Sequence, residues 1–323
     1  MTTEKQAVTI ETKTAAINDN PFNAAMLADW IQYCDVRPAT QVTYDKAVKC
    51  FINYVKSNEI AKPERQDVIN FREWLIDEAQ GGYKTSTARM YLTVVKKFFG
   101  WLSSQGFYRN VSDGVKLPKK TEEEHARDPL TLEEAQAAIN SFTDTERNKE
   151  MQLRNKAILS LMIGCGLRSI EVVRLNEGDL EKRRGVWFLN VLGKGKDSKV
   201  PVQLTPELKK ILDDYRAVRG AVKKNSAMFI STARSNRGQR LQTQTISRLA
   251  KKTFVKIGVE SSRVVCHSCR HTFITLGLQS GLSLRDVAKA ARHADSKVTE
   301  LYAHDLDKFN NKTFSTVTKL LFS

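Results

Sequence analysis

The sequence predicts a mainly helical protein with two folded domains and one small antiparallel sheet. Three observations support this prediction. Apolar residues recur at helical spacing through most of the chain. One stretch, 185–202, carries clear strand signals on both sides of a Gly/Lys turn. The charged segment 116–129, with two prolines and almost no apolar residues, interrupts the pattern and predicts an interdomain linker.

The first domain is predicted to be a helical bundle over residues 21–115. Residues 1–20 lack apolar periodicity and predict a flexible tail. Three apolar stripes at helical spacing follow, and Ser103-Ser104-Gln105-Gly106 predicts the end of the last one. The stripes run through Tyr44–Val55, Val68–Leu75 and Ala88–Leu102. A domain of this size is typical of small helical bundles.

The second domain is predicted to span residues 130–307, and residues 308–323 form a partly apolar tail. Local signals mark its elements: capping pairs that start helices, an apolar helix, and a hairpin of two strands. The helix-starting pairs are Thr131…Glu134, Thr205-Pro206 and Ser283…Asp286. The apolar helix is Asn155–Cys165, and the hairpin strands are Gly185–Leu192 and Lys199–Val202. The small antiparallel sheet of the fold class is this hairpin.

The chain is strongly basic, with a formal net charge of +16 over 323 residues. Of its 52 Lys and Arg and 36 Asp and Glu, the first 120 residues hold 17 and 13, which leaves 35 and 23 for the rest. Such an excess predicts a polyanionic partner, most often nucleic acid, although a basic protein with a merely solvated surface remains the alternative. The sequence has no apolar run of about 18 residues and no signal peptide, so we expect a cytoplasmic protein without membrane association.

The stretch Cys266–His271 reads Cys-His-Ser-Cys-Arg-His and raises the question of a metal site. On a helix, Cys266, Cys269, Phe273 and Leu276 share an arc of about 80°, the width of a buried stripe. His267 and Arg270 lie with Ile274 on a neighbouring face and predict contact with an anion. A tetrahedral zinc would need a second group of ligands, and the chain has no other Cys-x-x-Cys pair. We therefore predict no metal and no cofactor, with both cysteines in the core and His271 in a structural role.

Three further motifs are individually weak. Gly164-Cys165-Gly166-Leu167-Arg168 precedes Glu171, which alone suggests a surface ion pair. Gly193-Lys194-Gly195-Lys196 stands at the hairpin tip, where basic residues are commonly just solvated. His293 comes nine positions before Tyr302, a spacing with little meaning by itself.

The order and spacing of these motifs together resemble the tyrosine recombinase (phage integrase, Xer-like) family over about residues 22–305. The resemblance implies a SAM-like core-binding domain followed by a mixed, mostly helical catalytic domain. It assigns as catalytic the residues Arg168, Lys194, His267, Arg270, His293 and Tyr302. Cys269 stands where leucine is usual, and Arg292 replaces the glycine common before the last histidine. Asp197 and Lys199 replace the usual residues after the turn, so Lys194, Lys196 and Lys199 all remain candidates for the active lysine.

The chemistry of strand exchange explains these residue types. A tyrosine hydroxyl, with a pKa of about 10, attacks only when the phosphate is polarised and its own proton has an acceptor. Arg168 and Arg270 are expected to clamp the phosphate, with Glu171 orienting Arg168. His267 is the expected proton acceptor or donor, Lys194 the acid for the leaving oxygen, and His293 a hydrogen-bond donor. The resemblance further implies a 3′-phosphotyrosyl intermediate.

The expected partner is double-stranded DNA at specific sites, clamped between the domains by a tetramer acting on two sites. An accessory DNA-bending or directionality protein is a further candidate partner. Residues expected to contact DNA are Thr85, Arg89, Lys96, Lys97, Arg237, Arg240, Thr243 and Gln244. In the resembling family such C-terminal tails commonly dock on a neighbouring subunit, so exchange of residues 308–323 between protomers is expected, with packing on their own domain as the alternative.

The sequence leaves several functions open. A type IB topoisomerase uses similar tyrosine chemistry, and a catalytically silent regulator could retain the same fold. A zinc-dependent DNA-binding protein is the most distant alternative. For a recombinase, integration or excision of a mobile element and Xer-like resolution both remain open.

Overall fold

The computed structural model describes residues 23–119, 127–142, 149–193 and 196–292. The chain divides into two compact units, unit 1 with residues 1–124 and unit 2 with residues 125–323. The predicted tails, 1–20 and 308–323, and part of the predicted linker lie outside the described residues.

Unit 1 consists of helices, in agreement with the apolar stripes of its sequence. Its described helices are α1 Ala24–Tyr33, α2 Pro38–Ser57, α3 Arg65–Ile76 and α4 Thr85–Ser104. Local sequence explains how two of them begin. The Asn23 side chain accepts the Met26 amide at 2.9 Å, and Pro38 occupies the first turn of α2.

Aromatic side chains hold unit 1 together. The ring of Phe51 on α2 meets Phe71 of α3 and Phe99 of α4 edge-on, with centroids 5.1 and 5.4 Å apart. Trp30 of α1 meets Phe98 of α4 in the same manner at 5.1 Å. Edge-to-face pairs add specific geometry to the burial of large apolar surfaces, so these contacts tie all four helices into one core.

Unit 2 is built around a helix whose second half is buried on all sides. Its described helices are α5 Leu132–Asn140, α6 Lys149–Gly164, α7 Ser169–Arg174, α8 Pro206–Arg219, α9 Thr243–Lys256, α10 Ser268–Gln279 and α11 Leu284–Ala291. In α6 every residue of 157–163 is buried, because α5, α8 and α10 all pack against it. A helical segment that is apolar around most of its circumference, as 157–163 is, belongs in such a position.

A three-stranded antiparallel sheet completes unit 2, in the order β1 (Leu180–Arg183), β2 (Val186–Leu192), β3 (Lys199–Leu204). The predicted hairpin is β2 and β3, with Leu189 opposite Val202. The sequence did not predict β1, which reads Leu-Glu-Lys-Arg and lacks strand-forming residues. It pairs with β2 because Arg184 and Gly185, with φ of 49° and 83°, turn the chain back tightly. Its charged side chains are typical of edge strands.

Among the described residues, no helix is both long and apolar enough to cross a membrane.

Candidate active site

Arg168 stands at the start of α7, directly after the turn that leaves α6. The turn depends on Gly166, whose φ of +59° favours glycine. A Cβ at this position would also lie 2.6 Å from Cδ1 of Phe273 on α10. The turn therefore packs tightly against α10, the helix that carries Arg270.

Glu171 holds Arg168 in place through both of its carboxylate oxygens. Its Oε1 accepts Nη1 of Arg168 at 2.9 Å, and its Oε2 accepts the Arg168 amide at 2.9 Å. The carboxylate is fully buried, so this is not the surface ion pair that spacing alone suggested. Burial by itself would raise the pKa of Glu171, but Arg292 and Arg168 together lower it below its ordinary value. Glu171 is thus an ionised, buried support for Arg168.

His267 and Arg270 lie at the start of α10 in different surroundings. The helix begins at Ser268, two residues later than the sequence pattern suggested, and His267 is its exposed N-cap residue. Arg270 is only 1% exposed. It donates through Nη1 to the Gly166 carbonyl at 2.7 Å and through Nη2 to the Ala291 carbonyl. Backbone carbonyls of the α6–α7 turn and of the last residue of α11 therefore orient the Arg270 guanidinium.

The buried face of α10 differs from the predicted stripe. Cys269 is buried as predicted, but Ile274, predicted on the anion-facing side, is fully buried, while Phe273 and Leu276 are only half-buried. The α6–α7 turn and α11 cover α10 on sides that the helical period could not reveal. The period therefore identified the helix but not which face was buried.

A third arginine, Arg292, follows α11 and joins the same cluster. Its Nη2 lies 3.2 Å from Oε2 of Glu171 and 3.1 Å from the Gly166 carbonyl. In the sequence, Arg292 stands out only as a departure from the glycine common at this position in the resembling family. Its contact with Glu171 joins residues 121 positions apart. In the sequence, the arginine at this glycine position was the sole sign of that contact.

Arg270 and His267 line a cleft of about 600 Å³ in unit 2. Its walls also carry Arg127, Ser169 and Lys251, together with one carboxylate, Glu260, so cations and hydroxyls outnumber acidic groups beside Arg270. The cationic and hydroxyl groups suit an anion, because each of them can donate a hydrogen bond to a phosphate oxygen.

The strand β2 leads toward this cluster. The Gly193 carbonyl accepts Nη1 of Arg174 at 3.3 Å, and a Cβ on Gly193 would lie 4.0 Å from Oε1 of Glu171. Among the lysine candidates, Lys196 and Lys199 are both exposed, and Lys199 forms an ion pair with Asp179. Lys194 lies outside the described residues.

Comparison with known proteins now identifies the family. The model of the phage integrase family matches residues 130–308, and that of the phage integrase N-terminal SAM-like domain matches residues 27–106. The chain belongs to the phage integrase family. It is a site-specific tyrosine recombinase, an enzyme that cleaves and rejoins DNA strands, and the topoisomerase and silent-regulator alternatives are not favoured. The predicted fold class is confirmed.

Individual relatives agree with this family. Tyrosine recombinase XerC of Serratia marcescens is 27% identical over 271 residues, which cover 83% of this chain and 84% of that protein. The fold is similar to that of XerH recombinase bound to palindromic difH substrate, with a TM-score of 0.72, 18% identity, and coverage of 92% of this chain and 85% of that chain. A lambda integrase tetramer bound to a Holliday junction gives a TM-score of 0.67, 14% identity, and coverage of 86% and 75%.

The cysteines of the recombinase's Cys266–His271 stretch lie in apolar surroundings. Cys269 is fully buried in the core of unit 2, and Cys266 packs against that core. Burial raises the pKa of the Cys266 thiol to about 11 and also raises that of Cys269. A metal would require thiolates, which this burial disfavours. In the described parts of the chain, no three His, Cys, Asp or Glu side chains converge as metal ligands would.

The predicted DNA-contacting residues of unit 1 lie on α4, and three of them have partners within the unit. Thr85 is the first residue of the helix. Arg89 donates to the Pro118 carbonyl, and Lys96 donates to the Val115 carbonyl at 2.6 Å. The Lys97 ammonium donates to the hydroxyl of Tyr44 at 2.9 Å.

The predicted DNA-contacting residues of unit 2 precede or begin α9. Arg237 is exposed and forms an ion pair with Glu150 at 3.2 Å. Arg240 donates to the carbonyls of Val173 and Leu175 at 2.6 and 3.0 Å, so much of its hydrogen-bonding capacity holds α7 in place. Thr243 and Gln244 open the helix, and their side chains contact each other at 3.2 Å.

The structure thus connects Arg168, Glu171 and Arg270 through Arg292 and the Gly166 carbonyl, and Arg270 shares a cleft with His267. His293 and Tyr302, like Lys194, lie outside the described residues.

Proposed function

We propose that this recombinase cleaves DNA by attack of the Tyr302 hydroxyl on the scissile phosphate, which forms a 3′-phosphotyrosyl bond and releases a 5′-hydroxyl. Attack of a 5′-hydroxyl of the partner strand on that bond then rejoins the DNA and frees the tyrosine. The covalent bond conserves the energy of the broken phosphodiester, so the cycle needs no cofactor.

Arg168 and Arg270 bind the non-bridging phosphate oxygens in this proposal. The observation that supports it best is the arrangement of the two guanidiniums around the Gly166 turn, one held by buried Glu171 and the other by two carbonyls. Pre-oriented cations in a partly buried site stabilise charge that develops in the transition state, because they need no reorganisation during the reaction.

Proton transfer falls to His267 and a hairpin lysine. His267 is exposed at the cleft, and imidazole titrates near neutral pH, so it can exchange the tyrosine proton. A lysine protonates the leaving 5′ oxygen. The ion pair between Lys199 and Asp179 favours Lys194 or Lys196 for this role, and we propose Lys194. His293 donates a hydrogen bond to the phosphate.

Double-stranded DNA carrying specific recombination sites is the proposed substrate, and the +16 net charge supports a polyanion. Thr85, Lys97, Arg237, Thr243 and Gln244 are proposed contacts. Arg89, Lys96 and Arg240 are proposed contacts as well. Like Lys97 and Arg237, they would first give up the intramolecular contacts described above. A chromosomal or mobile-element substrate would place the enzyme in the cytoplasm.

We further propose a tetramer on two DNA sites, by analogy with the lambda integrase tetramer bound to a Holliday junction. The tail 308–323 would pass between protomers. Both integration or excision of a mobile element and Xer-like resolution fit this chemistry, and an accessory DNA-bending or directionality protein would fit the former.

A suicide duplex, nicked beside the cleavage point, tests the proposed reaction. The short 5′-hydroxyl fragment diffuses away after cleavage, so the covalent protein–DNA adduct accumulates and is visible on a denaturing gel. Tyr302→Phe should abolish the adduct while the affinity for the same duplex, measured by gel shift, stays unchanged. An adduct that survives in this variant would refute Tyr302 as the nucleophile.

A further inference from the structure

Arg292 occupies a backbone conformation that few arginines adopt. It caps the C-terminus of α11 in the left-handed region, with φ of 57° and ψ of 43°. Glycine adopts this conformation without strain, whereas a residue with a Cβ does so at a cost. A strained residue beside a functional site suggests that its side chain contributes something glycine cannot.

The Arg292 side chain joins three parts of the catalytic unit. Its Nη1 donates to the Ala290 carbonyl at 2.9 Å and to the Cys165 carbonyl at 3.3 Å. Its Nη2 reaches the Gly166 carbonyl and the Glu171 carboxylate. The side chain is only 11% exposed, so these bonds form largely out of water. One guanidinium thus links the end of α11, the turn after α6, and α7.

Both phosphate-binding arginines depend on groups that Arg292 contacts. Glu171 positions Arg168 through Oε1 while its Oε2 receives Arg292. The Gly166 carbonyl accepts Nη1 of Arg270 and Nη2 of Arg292 at 2.7 and 3.1 Å. A change at Arg292 would therefore act on Arg168 and Arg270 at once, through two separate acceptors.

The charges of the cluster also make Arg168 depend on Arg292. Among the described residues, Glu171 is the carboxylate that Arg168 and Arg292 contact, so the cluster with Arg270 carries three positive charges and one negative. Arg292 partly neutralises Glu171, which leaves more of the Arg168 charge for a phosphate whose negative charge grows during attack. Loss of Arg292 would leave Arg168 as the partner that balances Glu171.

We propose that Arg292 is a positioning residue for DNA cleavage, which orients Arg168 through Glu171 and Arg270 through the Gly166 carbonyl. This inference rests on the proposed function, in which those two arginines bind the scissile phosphate. Arg292 itself makes no contact with the substrate in this proposal.

Arg292→Gly tests the proposal, and Arg184→Gly is its matched control. Arg184 is an exposed arginine in the turn between β1 and β2 and also has a positive φ, of 49°. The two variants lose the same charge and relieve the same type of backbone strain, but only Arg292→Gly loses the contacts with Glu171 and Gly166. Single-turnover cleavage of the suicide duplex, DNA affinity and thermal stability are measured for each.

Cleavage by Arg292→Gly should slow by about 10- to 100-fold, the range expected when catalytic groups shift by an ångström or less, with DNA affinity close to that of Arg184→Gly. Arg184→Gly should cleave at the wild-type rate. Arg292→Lys, which keeps the charge but not the planar set of donors, should lie between the two.

The pH profile separates positioning from a purely structural role. Arg292 helps to lower the pKa of Glu171, so its removal should raise that pKa. Cleavage requires ionised Glu171 in this proposal. As the solution is acidified, the cleavage rate of Arg292→Gly should therefore begin to fall at a higher pH than that of the wild type. Arg184→Gly should retain the wild-type profile.

Three outcomes overturn the proposal: equal cleavage rates for Arg292→Gly and Arg184→Gly, an unshifted acid limb, or a rate loss matched by an equal loss of DNA affinity. If Arg292→Gly does not fold, Arg292→Lys decides, and a wild-type rate in that variant overturns the proposal. Adduct formation by the wild-type protein tests the proposed function separately. A wild-type protein without adduct would overturn both, whereas an adduct with unaffected Arg292 variants would overturn the positioning role alone.

Discussion

Replacement of Glu171 by glutamine should destabilise unit 2 more than any comparable change of an exposed glutamate. The fully buried carboxylate accepts two hydrogen bonds from Arg168, at 2.9 Å each, and one from Arg292 at 3.2 Å. Glutamine keeps the size but removes the charge and exchanges one acceptor oxygen for an NH₂ donor. At least one of the arginine donors would then face another donor.

The size of the effect follows from this geometry. Removal of one partner of a buried ion pair costs about 3–5 kcal/mol. Arg168 is 26% exposed and Arg292 11%, so solvent partly compensates the stranded charges. We therefore expect the free energy of unfolding of unit 2 to fall by the lower figure, about 3 kcal/mol.

The loss should depend on pH in a defined direction. The folded-state pKa of Glu171 lies below its ordinary value, so the carboxylate's contribution is complete above the unfolded pKa, about 4.3. It disappears as the pH falls through the folded pKa. The difference between the wild type and Glu171→Gln should thus be constant from neutral pH to about pH 5 and shrink in more acid solution.

Native-state hydrogen exchange of the buried amides of α6 in increasing urea measures this stability, because their exchange reports the unfolding of unit 2. Glu181→Gln is the control, since Glu181 also pairs with an arginine, Arg183 at 2.7 Å, but on the exposed face of β1. The reasoning is refuted if Glu171→Gln costs less than about 1 kcal/mol, the upper limit of a surface ion pair, or if its loss does not change in acid.

Three further predictions concern the turn, the general acid and the tail. Gly166→Ala should destabilise unit 2 by about 2–4 kcal/mol, because it adds backbone strain to a clash with Phe273. The control Gly258→Ala, at φ +84° with open space around it, should show the cost of backbone strain alone. Equal urea midpoints for the two variants would contradict this prediction. Lys194→Ala should slow cleavage by about 10²- to 10⁴-fold. A substrate with a 5′-thiol leaving group, which needs no proton, should restore the rate of this variant. If this substrate rescues Lys196→Ala instead, Lys196 is the general acid. Deletion of residues 308–323 should abolish cooperative binding to paired sites in gel-shift titrations, and intact cooperativity would exclude tail exchange.

Local signals predicted the elements of this fold well, because their causes lie within a few residues. The capping box at Thr131 is an example: its hydroxyl accepts the Glu134 amide at 3.1 Å, and the Glu134 carboxylate accepts the Thr131 amide at 2.8 Å. Ser283 likewise accepts the Asp286 amide at 3.1 Å at the start of α11. The strand β1 was missed because its pairing with β2, rather than its own residues, makes it a strand.

The site was predicted less completely, because its geometry depends on distant contacts. Spacing and family resemblance pointed to Arg168, Glu171 and Arg270. The burial of Arg270 follows from packing of α10 against the Gly166 turn and the end of α11, which no periodicity within α10 encodes. The bond between Arg292 and Glu171 spans 121 positions. The sequence therefore showed that Arg292 is unusual at a position where glycine is common, but not that Glu171 is its partner.

The most direct test of the central claim is to locate the nucleotide in the trapped adduct. After nuclease digestion, trypsin should release the peptide Val-Thr-Glu-Leu-Tyr-Ala-His-Asp-Leu-Asp-Lys, residues 298–308, because Lys297 and Lys308 flank it. Mass spectrometry should find this peptide carrying a nucleotide on Tyr302 through its 3′ phosphate. An unmodified peptide 298–308, with the nucleotide attached to any other residue, would contradict the account.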